Sequence, residues 1–263
     1  MKVLLIGDVV AKPGREAIKK IVPDLRKKEG IDLVICNAEN SAGGSGITID
    51  TANELFESKV DVITSGDHIW KKKELYKFLD ENPKILRPAN YPEDCPGSGS
   101  TVVSSASGKK VGVVNVLGRV FMDHIDCPFR AAEREVERVS QDTKIILVDV
   151  HAEATSEKIA MGRFLEGKVS CVFGTHTHVQ TADEKILPND TAYITDIGMT
   201  GPLDSVIGRK VETIVEHFLT CMPARFEIAQ EDIELQGALV EIDEKTGKAV
   251  SISRVREKLI NYI

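Results

Sequence analysis

Apolar residues fall into short β-branched runs that alternate with longer stretches of helical spacing. Val3–Ile6 is the first run, and it closes on Gly7-Asp8. Over residues 14–28, Ala17, Ile18, Ile21 and Leu25 recur at three- and four-residue steps. That spacing predicts an amphipathic helix, with Pro13 just before it suiting the start. Ile31–Cys36 is the second run, followed by the Gly-rich turn Ala42–Gly46 and a helical pattern over 49–58. Val60–Thr64 is the third, followed by a helical pattern over 71–80. Strand, helix, strand, helix, strand at this spacing predicts βαβ units and a parallel sheet.

The middle of the chain is less regular. Residues 83–98 hold four of the ten prolines and read as a loop-rich excursion. Thr101–Ser104 and Val111–Val116 predict a hairpin over Ser107-Gly108, and residues 129–141 an amphipathic helix. Lys144–Val150 and Val169–Phe173 predict two more buried strands. Further on, Ala224–Ala229, Leu235–Ile242 and Ala249–Val255 alternate at strand period, the last two around the turn signal Glu244-Lys245-Thr246-Gly247. No repeat, low-complexity linker or shift in charge divides the chain. The expectation is one α/β domain over residues 1–263 containing two sheets.

Composition narrows the class. The 263 residues are 42% hydrophobic and 29% charged, enough for a sizeable core without disulfides. A net charge of −7 argues against stable nucleic-acid binding, which needs a basic surface, but not against one nucleotide held locally. Cys36, Cys95, Cys127, Cys171 and Cys221 are odd in number and lack C-x-x-C spacing, so free thiols in a reducing compartment are expected. With no signal-peptide pattern and no apolar stretch near ~20 residues, a cytoplasmic protein with no membrane partner is expected.

The chemistry gathers at strand ends. Asp8 follows the first run, Glu39 and Asn40 the second, and Asp67 and His68 the third. His151 follows Ile145–Val150, and His176 and His178 follow Cys171–Phe173. Parallel strands would bring all of these to one edge, where open α/β sheets place their sites. Carboxylate, amide and imidazole donors without cysteine suit Mn, Fe or Zn in a site that is not a structural zinc site. The set exceeds one ion's needs and fits two ions about 3.5–4 Å apart. Glu39 has the reach to bridge them.

Each element also has a plainer reading. Asp8 alone suits a helix cap or turn, Glu39-Asn40 a solvated turn, and His151 a core histidine. The sequence Gly174-Thr175-His176-Thr177-His178 is the most specific element, because two histidines at strand spacing point the same way. His124 and His217 lack such company and read as surface or packing residues. Ala42–Gly46 lacks a nucleotide-binding fingerprint and reads as a turn that approaches substrate. Lys12 and Arg15 suit either a phosphate at a helix start or a solvated helix end. Trp70 suits base stacking or packing. Cys36 and Cys171 read as inert core thiols. The glycine-spaced stretch Asp196–Gly201 is placed to wall the same cleft.

The ordered pattern Gly-Asp, Gly-x-His, a lone His and Gly-x-His-x-His resembles the calcineurin-like metallophosphoesterases. Gly7–Val10, Asn37–Asn40, Arg87–Asn90, His151–Lys158, Gly174–Asp183 and Ala192–Gly201 resemble the YmdB-like branch of that family, over nearly the whole chain. The resemblance implies a four-layer αββα sandwich with two mixed sheets and a dinuclear iron or manganese centre. It implies hydrolysis of cyclic nucleotide phosphodiesters, 2′,3′-cyclic and also 3′,5′-cyclic ones. By it, Asp8, Glu39, Asn40 and His178 hold one metal, and Glu39, Asp67, His151 and His176 the other. His68 matches the proton donor. Two departures stand out: the histidine usual two residues after the first aspartate is Val10, and the usual Asn before His68 is Asp67.

The reading is therefore a dinuclear-metal phosphodiesterase in which the ions activate a bridging water and His68 protonates the leaving ribose oxygen. A homo-oligomer is expected. The alternatives are a phosphomonoesterase on the same centre and a non-enzymatic regulatory protein with a structural metal site.

Overall fold

The period-two alternation of the apolar runs decides which layer each side chain enters. The computed structural model describes residues 1–260, so the last three residues of the expected 1–263 span lie outside the described residues. The strands are β1 (Lys2–Ile6), β2 (Asp8–Val9), β3 (Leu33–Asn37), β4 (Val62–Thr64), β5 (Ser100–Ser104), β6 (Lys110–Leu117), β7 (Ile146–His151), β8 (Cys171–Thr175), β9 (Lys185–Ile186), β10 (Ala192–Ile194), β11 (Met199–Pro202), β12 (Ile233–Ile242) and β13 (Ala249–Lys258). The helices are α1 (Ala11–Glu29), α2 (Ile49–Glu57), α3 (Leu75–Glu81), α4 (Pro128–Ser140), α5 (Thr155–Phe164) and α6 (Val211–Thr220).

The first sheet runs β2-β11-β12-β1-β3-β4, with β13 on β12; the second runs β5-β6-β7-β8-β10-β9. Strands β1, β3 and β4 are parallel, and so are β6, β7, β8 and β10. Antiparallel pairs β1–β12, β5–β6 and β9–β10 make both sheets mixed. Val3, Leu5, Leu33 and Ile35 meet Ile145, Leu147, Cys171 and Phe173 between the sheets. Their neighbours Leu4, Ile6, Val34 and Cys36 face outward onto Ile18 and Val22 of α1 and Leu55 of α2. Val148 and Val150 face outward onto Val136 of α4 and Met161 of α5. The result is four layers, αββα. Pairing sets Ile6 opposite Cys36, Asn37 opposite Thr64, and His151 opposite Thr175, so the strands end along one edge.

Four local differences have physical reasons. Helix α1 starts at Ala11, so Pro13 sits in its first turn, and Gly14 lets it press on β11, where a Cβ would strike the Thr200 carbonyl. The pattern over 71–80 divides into a 3₁₀ turn, Asp67–Lys71, and α3. Helix α5 has no apolar stripe to betray it, because its buried face includes Glu157 and Lys158. Residues 224–229 form no strand: their alternation finds no sheet edge, Phe226 stays exposed, and Ile228 makes only an isolated bridge to Arg209. No helix of the described residues is long and apolar enough to cross a membrane.

Candidate metal centre

The inward-facing row of each strand turns polar at this common edge. Asn37, Thr64, Asp149, His151 and Thr175 continue the rows begun by Ile35, Val62, Leu147 and Phe173, and all five are buried. Just beyond them stand the residues expected at the centre. His151 Nε2 lies 3.1 Å from Glu39 Oε1, 3.6 Å from Asp67 Oδ1 and 3.0 Å from His176 Nδ1. Glu39, Asp67, His151 and His176 each offer a ligand atom, all within 4.8 Å of one another. On the other flank of Glu39, His178 Nε2 is 3.7 Å from Asp8 Oδ1 and 3.2 Å from Asn40 Nδ2. His68 stands beside this group, with Nδ1 2.8 Å from Asn40 Oδ1 and its backbone N–H donating to Glu39 Oε2 at 3.1 Å.

The imidazoles are held by the nitrogen that faces away. His151 Nδ1 is 2.9 Å from Thr175 Oγ1, and the Thr175 hydroxyl donates to Asp149 Oδ1 at 2.7 Å. That chain places the proton of His151 on Nδ1 and leaves Nε2 for the centre. Thr64 Oγ1 donates to the other Asp149 oxygen at 2.5 Å, and Asn37 Nδ2 lies 3.3 Å from it. Burial pushes the Asp149 carboxyl up to about 6. His176 Nε2 faces Glu153 Oε2 at 3.2 Å, and His178 Nδ1 faces the Ile207 carbonyl at 3.1 Å. His176 and His178 both have left-handed backbone, with φ of 97° and 64°. Side chains with a Cβ adopt this region only where their surroundings impose it.

The donor set fits a cation. Asp8 Oδ1 and Asp67 Oδ1 are sealed from solvent with no hydrogen-bond partner among the described residues. Burial raises the Asp8 carboxyl, with neighbouring Glu39 adding to the effect. Burial would likewise raise Glu39, but His151 pulls it below its ordinary value. Burial opposes charge on His151, yet Glu39, Asp67 and Asp8 hold it protonated well above its ordinary value. The proton thus compensates a knot of carboxylates, a role a divalent ion would take over. Gly66 keeps the space open, because a Cβ there would overlap the His151 ring and Glu39 Oε2. Asn40 turns its oxygen to His68 and its amide nitrogen to Glu39 and His178. Rotation of that amide by half a turn would offer the oxygen to the centre.

A cavity of ≈ 350 Å³ opens over the cluster, lined by Glu39, His68, His176 and His178 together with Gly44, Glu153 and Arg209. Gly44, from the Gly-rich turn, is held by Arg209 Nη2, which donates to its carbonyl at 2.7 Å. The other candidates settle into packing. Trp70 meets Tyr76 and Tyr91 edge-on, and Arg15 is committed to Glu54 at 2.6 Å. Cys36 and Cys171 are buried, which pushes their thiols far up. His217 packs on Phe218 and Phe226, and His124 is exposed. Sequence reasoning missed Asn37, Thr64, Asp149, Thr175, Glu153 and Arg209. Asp149 had a signal: a carboxylate at an inward position of an otherwise apolar strand needs donors around it. Arg209 had none.

The comparisons agree with this architecture. A family model described as "YmdB-like protein" matches residues 4–255. The chain is 48% identical over 255 residues to a 2′,3′-cyclic-nucleotide 2′-phosphodiesterase of Bacillus subtilis, covering 97% of this chain and 96% of the relative. The crystal structure of a hypothetical protein from Thermus thermophilus superposes with a TM-score of 0.91 at 43% identity, covering 98% of this chain and 99% of that one. That of a novel phosphatase from Mycoplasma pneumoniae gives 0.90 at 34%, covering 98% and 93%. With its match running almost end to end, the chain belongs to the YmdB-like family.

Proposed function

We propose that this chain is a metal-dependent hydrolase of 2′,3′-cyclic nucleotide phosphodiesters, with 3′,5′-cyclic ones as further substrates. The observation that carries this reading is the position of Glu39. Its Oε1 meets both His151 Nε2, at 3.1 Å, and the Asn40 amide nitrogen, at 3.3 Å, in a group with Asp67 and His176 beneath an open cavity. Two iron or manganese ions suit this mixture of oxygen and nitrogen donors. Asp8, Glu39, Asn40 and His178 would hold one, with the Asn40 amide turned over, and Glu39, Asp67, His151 and His176 the other. When bound, such ions supply Lewis acidity, polarising phosphoryl oxygens and lowering the pKa of water.

The remaining steps belong to the chain's own groups. His68 lines the cavity and ligates nothing in this assignment. With the Asn40 amide turned over, its NH2 would face His68 Nδ1 at this contact and donate to it, which leaves the Nε2 proton for the leaving ribose oxygen. Glu39 Oε2 fixes the His68 backbone, so the acid and the bridging carboxylate move as one unit. Arg209 and Gly44 close one wall of the cavity.

The test is turnover of the Mn²⁺-loaded protein on a panel of 2′,3′- and 3′,5′-cyclic nucleotides, with bis(p-nitrophenyl) phosphate and p-nitrophenyl phosphate alongside. Diester hydrolysis well above monoester hydrolysis is expected. The reverse ratio would make the chain a phosphomonoesterase, and no turnover on any substrate would leave a binding protein.

A further inference from the structure

Two stretches that carry the family resemblance, 151–158 and 192–201, contain one candidate ligand between them, His151. Lys158 from the first stretch and Asp196 from the second meet in a buried ion pair behind the centre. Lys158 of α5 and Asp196, just after β10, each have a side chain 1% exposed, and Nζ lies 2.7 Å from Oδ2. Among the described residues, neither side chain has a hydrogen bond or ion pair to a candidate ligand atom. Asp196 Oδ2 also accepts from the Thr177 backbone N–H at 3.1 Å and from the Thr177 hydroxyl at 2.8 Å. Its Oδ1 accepts from the Gly198 N–H at 2.8 Å. Those donors match the roughly four acceptor sites of an ionised carboxylate.

These contacts reach three ligand-bearing segments. Thr177 separates His176 from His178, both of which have left-handed φ. Gly198 O accepts from the Asp8 backbone N–H at 3.1 Å, and Asp8 Oδ2 accepts from the His176 N–H at 3.0 Å. Lys158 rides on the helix that follows His151. Gly174, at the start of the histidine turn, must be glycine beside this pair, because a Cβ would overlap the Thr195 carbonyl and come 2.8 Å from Lys158 Cδ. An apolar pair of similar volume would fill this space without the desolvation cost of two charges. It would not accept from Thr177 twice and from Gly198 at once.

We propose that Lys158 and Asp196 form a positioning pair that holds the His176-Thr177-His178 turn and the Asp8 segment in ligating register before metal arrives. The proposal rests on the metal-centre reading above. Asp196 supplies the acceptors that impose the turn, and Lys158 holds that buried carboxylate in place.

The experiment measures Mn²⁺ affinity by chelator competition, and the melting temperature with and without Mn²⁺, for wild type and for Asp196→Asn, Lys158→Met, Thr177→Val and Thr177→Ser. Asp196→Asn is expected to lower Mn²⁺ affinity by about 10–100-fold, the usual cost of losing a ligand-orienting partner. Thr177→Val should show a smaller loss in the same direction. Thr177→Ser, which keeps the hydroxyl, should stay near wild type. Variants that melt earlier without metal but bind Mn²⁺ like wild type would show a merely structural pair and overturn the proposal. If Asp196→Asn or Lys158→Met fails to fold, the contrast between Thr177→Val and Thr177→Ser decides, and equal affinities there overturn it. Wild type that binds no Mn²⁺ would sink the metal-centre reading and the clamp with it, a result distinct from equal binding by wild type and Asp196→Asn.

Discussion

The two sheets bring different chemistry to their shared edge. The first sheet contributes the oxygen and amide side: Asp8 from β2, Glu39 and Asn40 beyond β3, and Asp67 beyond β4. The second contributes imidazoles: His151 at the end of β7, and His176 and His178 beyond β8. The oxygen donors lean on one another and on the facing histidines, and two of their oxygens, Asp8 Oδ1 and Asp67 Oδ1, have no hydrogen-bond partner among the described residues. The histidines are each anchored from behind, by Thr175, Glu153 and the Ile207 carbonyl. Negative charge is thus gathered loosely on one side and lone pairs are aimed rigidly on the other. A cation at the seam would satisfy both, and the four-residue cluster Glu39, Asp67, His151 and His176 draws on both sheets. His68 is the exception, an imidazole on the oxygen side, which accords with a role in proton transfer instead of ligation.

The sharpest way to break this contrast is at the residue that sits on the seam. Glu39→Gln keeps the shape but removes the anion placed between the two donor groups. Metal retention and turnover are both expected to fall to near background, because one lost charge is shared by both proposed ions. Metal analysis after gel filtration and a diesterase assay check this. Full occupancy with wild-type turnover would remove Glu39 from the bridging position.

His68 tests the exception. His68→Ala should leave metal content intact and lower kcat on ribose leaving groups by about 10²–10⁴. The loss should shrink on nitrophenyl leaving groups, which depart without a proton. An equal loss on both kinds of substrate would end its assignment as the acid.

The contrast between the sheets also marks what the sequence could reveal. Short apolar runs ending in Asp8, Glu39 and His151 were legible because period-two burial and strand ends leave a local trace. The two histidines of 174–178 were legible as donors, but not their geometry: strand spacing is expected there, whereas β8 ends at Thr175 and both histidines take left-handed backbone. The anchoring layer was not legible. Thr64, Asn37 and Thr175 look like ordinary strand residues until the sheets are stacked and all three converge on Asp149. Lys158 and Asp196 lie 38 residues apart, and nothing in either segment announces that they meet. The false strand at 224–229 failed for the converse reason: alternation predicts a strand only where a neighbour continues the pairing, and here it stops at an isolated bridge to Arg209.

The smallest expected effect is at Asp67, where two consequences of one substitution oppose each other. Asp67→Asn removes an anionic donor 3.6 Å from His151 Nε2 and 3.8 Å from His176 Nδ1. Replacing a carboxylate oxygen by an amide oxygen weakens the attraction for a divalent ion. The same carboxylate also helps to hold the proton on His151, which must leave before that nitrogen can bind metal. The sign follows from the direction of that shift. His151 is held protonated above its ordinary pKa, so metal binding near neutrality releases a proton, and Mn²⁺ affinity rises with pH until His151 is free. Asparagine at 67 lowers the His151 pKa, so the variant pays less of this proton competition at acid pH. Asp67 itself stays ionised there, because His151 and His68 more than offset its burial and hold its carboxyl far below the usual range. The variant should therefore bind Mn²⁺ less tightly than wild type where the pH is high enough to leave His151 free in both, by less than about tenfold, and the gap should narrow as the pH falls through the range in which wild-type His151 takes up its proton. Chelator competition across that range, with proton release followed in weakly buffered solution, checks both parts. A gap that stays constant with pH would show that the Asp67 charge does not control the His151 proton, and that Asp67 acts on the metal alone.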